Sequence, residues 1–167
     1  MNYKKKMEEF TNQKLEIYKE VLNCSEKLDL TTKEYTEEEL RWIFEAIKIN
    51  NKITKLDLSS KEIEEELVKE LFESIKHLDL KKLNLRNNKL NNKEAIKQVS
   101  LFLCENKTLN KLILSLNSIN EHSILELSET LKSNQTLSKL YLSQNRLLFI
   151  IYFLFLFFFI IIIIFFY

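Results

Sequence analysis

The spacing leucine-x-leucine recurs five times at an almost constant interval, and that interval limits what the chain can fold into. The pairs are Leu28-Asp29-Leu30, Leu56-Asp57-Leu58, Leu83-Asn84-Leu85, Leu112-Ile113-Leu114 and Leu140-Tyr141-Leu142. Their first leucines lie 28, 27, 29 and 28 residues apart. A fixed period of about 20–50 residues marks a solenoid, whose units pack only on their neighbours. Such a chain presents a surface, so binding is the expected role.

Each unit extends its leucine pair in the same way. Ile53, Leu56, Leu58, Lys61 and Ile63 of one unit match Leu80, Leu83, Leu85, Asn88 and Leu90 of the next. The series continues with Leu109, Leu112, Leu114, Asn117, Ile119 and with Leu137, Leu140, Leu142, Asn145, Leu147. The first unit is looser, with Ser25, Leu28, Leu30, Lys33 and Tyr35. This resembles the leucine-rich repeat pattern L-x-x-L-x-L-x-x-N-x-L. The unit length is similar to that of the ribonuclease-inhibitor-like subclass, which implies an α/β solenoid of short parallel strands on a concave side and α-helices on a convex side.

The second half of each unit supports helices independently. Leu40, Ile43, Phe44 and Ile47 stand at i, i+3, i+4 and i+7, one apolar stripe. Val68, Leu71, Phe72 and Ile75 repeat it, followed by Ile96, Val99, Leu103 and by Ile124, Leu127, Leu131. Ser100 and Ser128 stand where the phenylalanines were, which narrows the last two stripes. The acidic runs Glu37–Glu39 and Glu64–Glu66 suit helix starts, where carboxylates meet the positive dipole end. Asn88, Asn117 and Asn145 are expected to satisfy backbone groups that the turn after each strand leaves unpaired. Lys33 and Lys61 hold that place in the first two units and cannot accept a hydrogen bond, so that end of the ladder is expected to be weaker.

At 167 residues the chain is expected to be a single domain. Glycine and proline are absent and alanine is confined to Ala46 and Ala95, a bias that follows A/T-rich codons. Without glycine, residues such as Asn92 and Asn120 are expected to supply the positive φ of the strand-to-helix turn. The net charge is +1, and three arginines stand against 22 lysines, so nucleic acid is not an expected partner. Cys24 and Cys104 are too few for a disulfide framework. The glycosylation-like triplets at Asn23, Asn106 and Asn134 read as chance matches, because no signal peptide is apparent.

Three segments follow. Residues 1–24 read as an N-terminal capping helix, with Leu15, Tyr18 and Leu22 on its apolar face; residues 25–147 hold the repeats; residues 148–167 form a hydrophobic tail. From Leu147 to Tyr167 all 21 residues are Leu, Ile, Phe or Tyr, enough for a helix spanning a bilayer core of about 30 Å. That makes the tail a candidate transmembrane anchor, with Arg146 and the repeats on the cytosolic face. Translated A/T-rich DNA would give the same run, in which case a plain cytoplasmic protein is expected.

Catalysis is not expected, and neither is a cofactor. A phosphate-cradling loop needs glycine, and His77 and His122 are isolated, without partners at metal spacing. The informative surface is the strand face, where residues flanking the leucines point to solvent. Lys27, Lys55, Lys82, Lys111 and Lys139 form an unbroken column there. The candidate binding residues for a protein partner are Arg86, Ile113, Leu116 and Tyr141, with Lys55, Lys82, Lys111 and Lys139 as a basic strip that steers an acidic surface. The chain therefore reads as a non-catalytic interaction module. Alternatives are a regulator of a small GTPase, by fold analogy, or a fragment of a larger leucine-rich-repeat protein.

Overall fold

Each leucine pair forms a three-residue strand and each apolar stripe forms a helix. The computed structural model describes residues 3–147 together with Ile161–Ile162, with side-chain environments for residues 11–147. The order is α1 (Tyr3–Asn23), β1 (Lys27–Asp29), α2 (Glu37–Ile47), β2 (Lys55–Asp57), α3 (Glu65–Ile75), β3 (Lys82–Asn84), α4 (Lys93–Glu105), β4 (Lys111–Ile113), α5 (Glu121–Ser133), β5 (Lys139–Tyr141) and β6 (Ile161–Ile162). The strands lie side by side in chain order, and every pairing is parallel. The register aligns Leu28, Leu56, Leu83, Leu112 and Leu140 as one row, which is the α/β repeat solenoid expected from the spacing.

The ten strand leucines are at most 3% exposed and meet the helix stripes in one continuous core. Burying each is worth about 1.5–3 kcal/mol. Ser100 does fall at the vacated phenylalanine position, where its buried hydroxyl finds no partner. Phe102, two residues on, packs its ring centroid 5.0 Å from that of Phe72. At the amino end the face of α1 is offset from the expected one. Ile17 and Val21 are buried, whereas Leu15 and Leu22 are 50% and 40% exposed. The stripe is Lys14, Ile17, Tyr18, Val21, and hydropathy hid it because it includes a lysine. The Lys14 ammonium reaches Glu45 at 3.0 Å and lies over the rings of Tyr18 and Trp42, so its stem covers apolar surface. The Tyr18 hydroxyl donates to Glu45 at 2.7 Å; burial, then that carboxylate, push its pKa up to about 12.

The asparagines form the ladder that the spacing implies. Asn117 is 1% exposed; its Nδ2 donates to the carbonyls of Leu85 (2.8 Å) and Leu114 (3.0 Å), and its Oδ1 accepts from the amides of Asn88 (3.1 Å) and Leu90 (3.4 Å). Asn88 and Asn145 repeat the scheme one unit before and after. Every such amide thus completes the turn of the unit that precedes it. Lys61 stands at the same place, 4% exposed, with its ammonium donating to the Lys33 carbonyl and lying over the Tyr35 ring. It supplies a donor and no acceptor. A second set serves the helix-to-strand turns: Asn50 donates to the carbonyls of Val21 and Cys24, and Asn134 to that of Leu103. Asn106 and Asn134 accept from the amides of Thr108 and Thr136, so two of the glycosylation-like triplets are Asx turns. His77 bonds the Asn50 carbonyl in this row.

The positive-φ expectation is corrected. Asn92 and Asn120 are extended helix N-caps at φ −104° and −98°, accepting from the amides of Ala95 and Ser123. The left-handed positions are Ser60, Glu62, Asn87, Leu116, Ser118 and Gln144, with φ of 53–61°. This turn carries the parallel ladder past the strands: the amides of Ser60, Asn87 and Leu116 donate to the carbonyls of Arg86, Ser115 and Ser143 in the next unit. The hydrophobic tail falls largely outside the described residues. Its exception, Ile161–Ile162, is a two-residue strand paired in parallel with β5. Among the described residues no helix is long and apolar enough to cross a membrane.

Removing the Asn117 amide orphans at least four backbone groups at a site without water access, so Asn117→Ala should lower unfolding free energy by about 3–5 kcal/mol in urea titration. Lys61→Asn should act oppositely, restoring the missing acceptor and adding about 1 kcal/mol.

Candidate partner-binding face

The parallel register turns single residues into columns. Lys27, Lys55, Lys82, Lys111 and Lys139 are Cα partners in succession, as are Asp29, Asp57, Asn84, Ile113 and Tyr141. Neighbouring strands are about 4.8 Å apart, so each column is a row of closely spaced groups. A third row beyond them holds Thr31, Ser59, Arg86, Ser115 and Ser143. Pleating points all three rows away from the leucines.

The amino-terminal half of this face is closed by its own charges. Lys27 reaches Asp29 at 2.5 Å and Lys55 reaches Glu26 at 2.6 Å. Asp29 also accepts from the hydroxyl (2.6 Å) and amide (3.1 Å) of Thr31. Asp57 accepts from Ser59 and from Asn84, whose Nδ2 lies 3.0 and 2.9 Å from its two oxygens. The Asp29 carboxyl is held at about 2, first by the Lys27 ammonium and then by Thr31. Glu26 is likewise lowered by Lys55. Its role is missed by sequence reasoning, since it lies in the loop before β1 and meets Lys55 only through the strand register.

The carboxy-terminal half differs. Lys82, Arg86 and Lys139 make no ion pair among the described residues, and Arg86 and Lys139 are exposed. Ile113 and Tyr141 are adjacent and half-buried, and the Lys111 ammonium sits 4.6 Å from the centroid of the Tyr141 ring. Of the candidate residues, the structure therefore gathers Arg86, Ile113, Tyr141, Lys82, Lys111 and Lys139 on β3–β5. Lys55 belongs to the neutralised half. Leu116 sits in the turn column with Asn87 and Gln144, three residues beyond Ile113 at φ 61°, and not in the Ile113–Tyr141 row.

Other chemistry is sparse. Among the described residues no three His, Cys, Asp or Glu side chains are placed to hold a metal, and the two cysteines are unpaired. A cavity of about 870 Å³ opens between the starts of α2 and α3, lined by Tyr35, Lys61 and several glutamates. Two of these, Glu62 and Glu64, are bridged by Lys89.

No family model matches the chain, and no curated protein matches it either. Among solved structures, leiomodin-1 actin-binding site 2 (ABS2) superposes with a TM-score of 0.63 at 20% identity, covering 84% of this chain and 79% of that one. At that identity the likeness establishes the shared α/β repeat architecture alone.

The depressed Asp29 pKa carries a pH signature. A carboxyl titrating near 2 when folded and near 3.8 otherwise stabilises the fold above about pH 4, and the contribution vanishes as pH falls towards 2. Urea midpoints measured from pH 6 to pH 2 should fall less steeply below pH 4 for Asp29→Asn than for the parent chain. Parallel curves would assign the acid sensitivity elsewhere.

Proposed function

We propose that this chain is a leucine-rich-repeat protein of the ribonuclease-inhibitor-like kind, and that it is a non-catalytic module gripping a protein partner with its strand face. The observation that carries the proposal is the Ile113–Tyr141 pair. An aromatic and an aliphatic side chain are presented next to each other on rigid strands, flanked by an exposed arginine, Arg86. Aromatic and arginine side chains are enriched among the few residues that dominate the energy of protein interfaces. A rigid sheet beneath them adds pre-organisation, so little ordering is needed when a partner docks.

Actin is the first partner to test, since the solved structure of like fold is an actin-binding site. Cosedimentation with filamentous actin should retain the full chain. Tyr141→Ala should cut retention by about tenfold, as expected of a central hot spot, while circular dichroism stays unchanged. Absence of retention removes actin as the partner. Retention unaffected by Tyr141→Ala removes this face as the contact.

A further inference from the structure

We propose that the β3–β5 half of the strand face seats an extended acidic segment of the partner, two or three carboxylates followed by a bulky apolar side chain. The proposal rests on the strand face being the binding surface. Its basis is the uneven distribution of charge along one column. Lys27 and Lys55 are satisfied within the chain by Asp29 and Glu26. Lys82 and Lys139 have no carboxylate partner among the described residues, and neither has Arg86. Among the described residues Lys111 meets the face of Tyr141 and no carboxylate.

Three lysines on neighbouring strands, with backbones about 4.8 Å apart, repel one another unless their side chains splay or something neutralises them. The chain does this at one end of the row and leaves it undone at the other. From Lys82 to Lys139 the row spans about 10 Å, the length of roughly three residues of extended chain at about 3.3 Å each. An acidic stretch crossing the strands would meet all three lysines, with Arg86 to one side. Ile113 and Tyr141 lie one pleat from that row, so an apolar side chain next to the carboxylates reaches them. Single-stranded nucleic acid fits less well: it binds by stacking bases on aromatic rings, and here the Lys111 ammonium covers a face of Tyr141.

Fluorescence anisotropy of the full chain against three labelled probes tests this: a glutamate-rich peptide with a central leucine, its glutamine counterpart, and a uridine oligonucleotide. The glutamate peptide should bind and weaken with rising salt. Lys111→Gln combined with Lys139→Gln should weaken it at least about tenfold, and Lys27→Gln combined with Lys55→Gln less than about twofold, with circular dichroism confirming that both variants fold. Equal losses in the two variants, equal binding of the glutamine peptide, or tighter binding of the oligonucleotide would overturn the proposal. If Tyr141→Ala abolishes partner capture while the glutamate peptide fails to bind, the face stands and the acidic occupant falls. If capture survives Tyr141→Ala, the underlying reading is the one that fails.

Discussion

Three-residue strands make too few ladder bonds to hold a sheet on their own, and the turn after each strand leaves buried amides and carbonyls with nothing to meet. The side-chain amides of Asn88, Asn117 and Asn145 resolve both problems, since each carries donors and an acceptor and reaches two units at once. Leucine burial supplies the larger share of the stabilising energy, yet it is directionless and would tolerate slippage between units. The asparagines remove that freedom. Because they fix the register, they also fix which residues become neighbours on the strand face, so the arrangement of lysines, Ile113 and Tyr141 follows from them.

Much of this was legible beforehand, for a physical reason. Leucine spacing, helix stripes and asparagine positions are periodic, and a period is visible without coordinates. What escaped was whatever depends on residue types with two uses. Asparagine suits both a left-handed turn and a helix N-cap, and Asn92 and Asn120 turned out to cap helices while Ser60, Leu116 and Gln144 took the turn. Lysine reads as polar, yet the stem of Lys14 lies on the inward face of α1. Phe102 escaped because the aligned places in the two preceding units hold the small residues Ala46 and Ser74, which mark no apolar stripe.

The candidate site was half legible. Pleating alone assigned its lysines, Ile113 and Tyr141 to one surface, and the register then placed them side by side. The split into a neutralised and an unsatisfied half was not legible, because it depends on Glu26, a loop residue that becomes relevant only once β1 and β2 are paired. Leu116 was expected on the strand face with Ile113 and Tyr141, and the left-handed turn carries its backbone into another column.

The one-way reach of the asparagine amides has a consequence for how such a molecule is made. Asn88 finishes the turn opened by Lys61 and Ile63, and Asn117 finishes the one opened by Asn88 and Leu90. On a ribosome, which emits the amino end first, the turns served by Asn88 and Asn117 gain those bonds only once the following unit has left the exit tunnel. Closure of these turns therefore trails synthesis by one repeat.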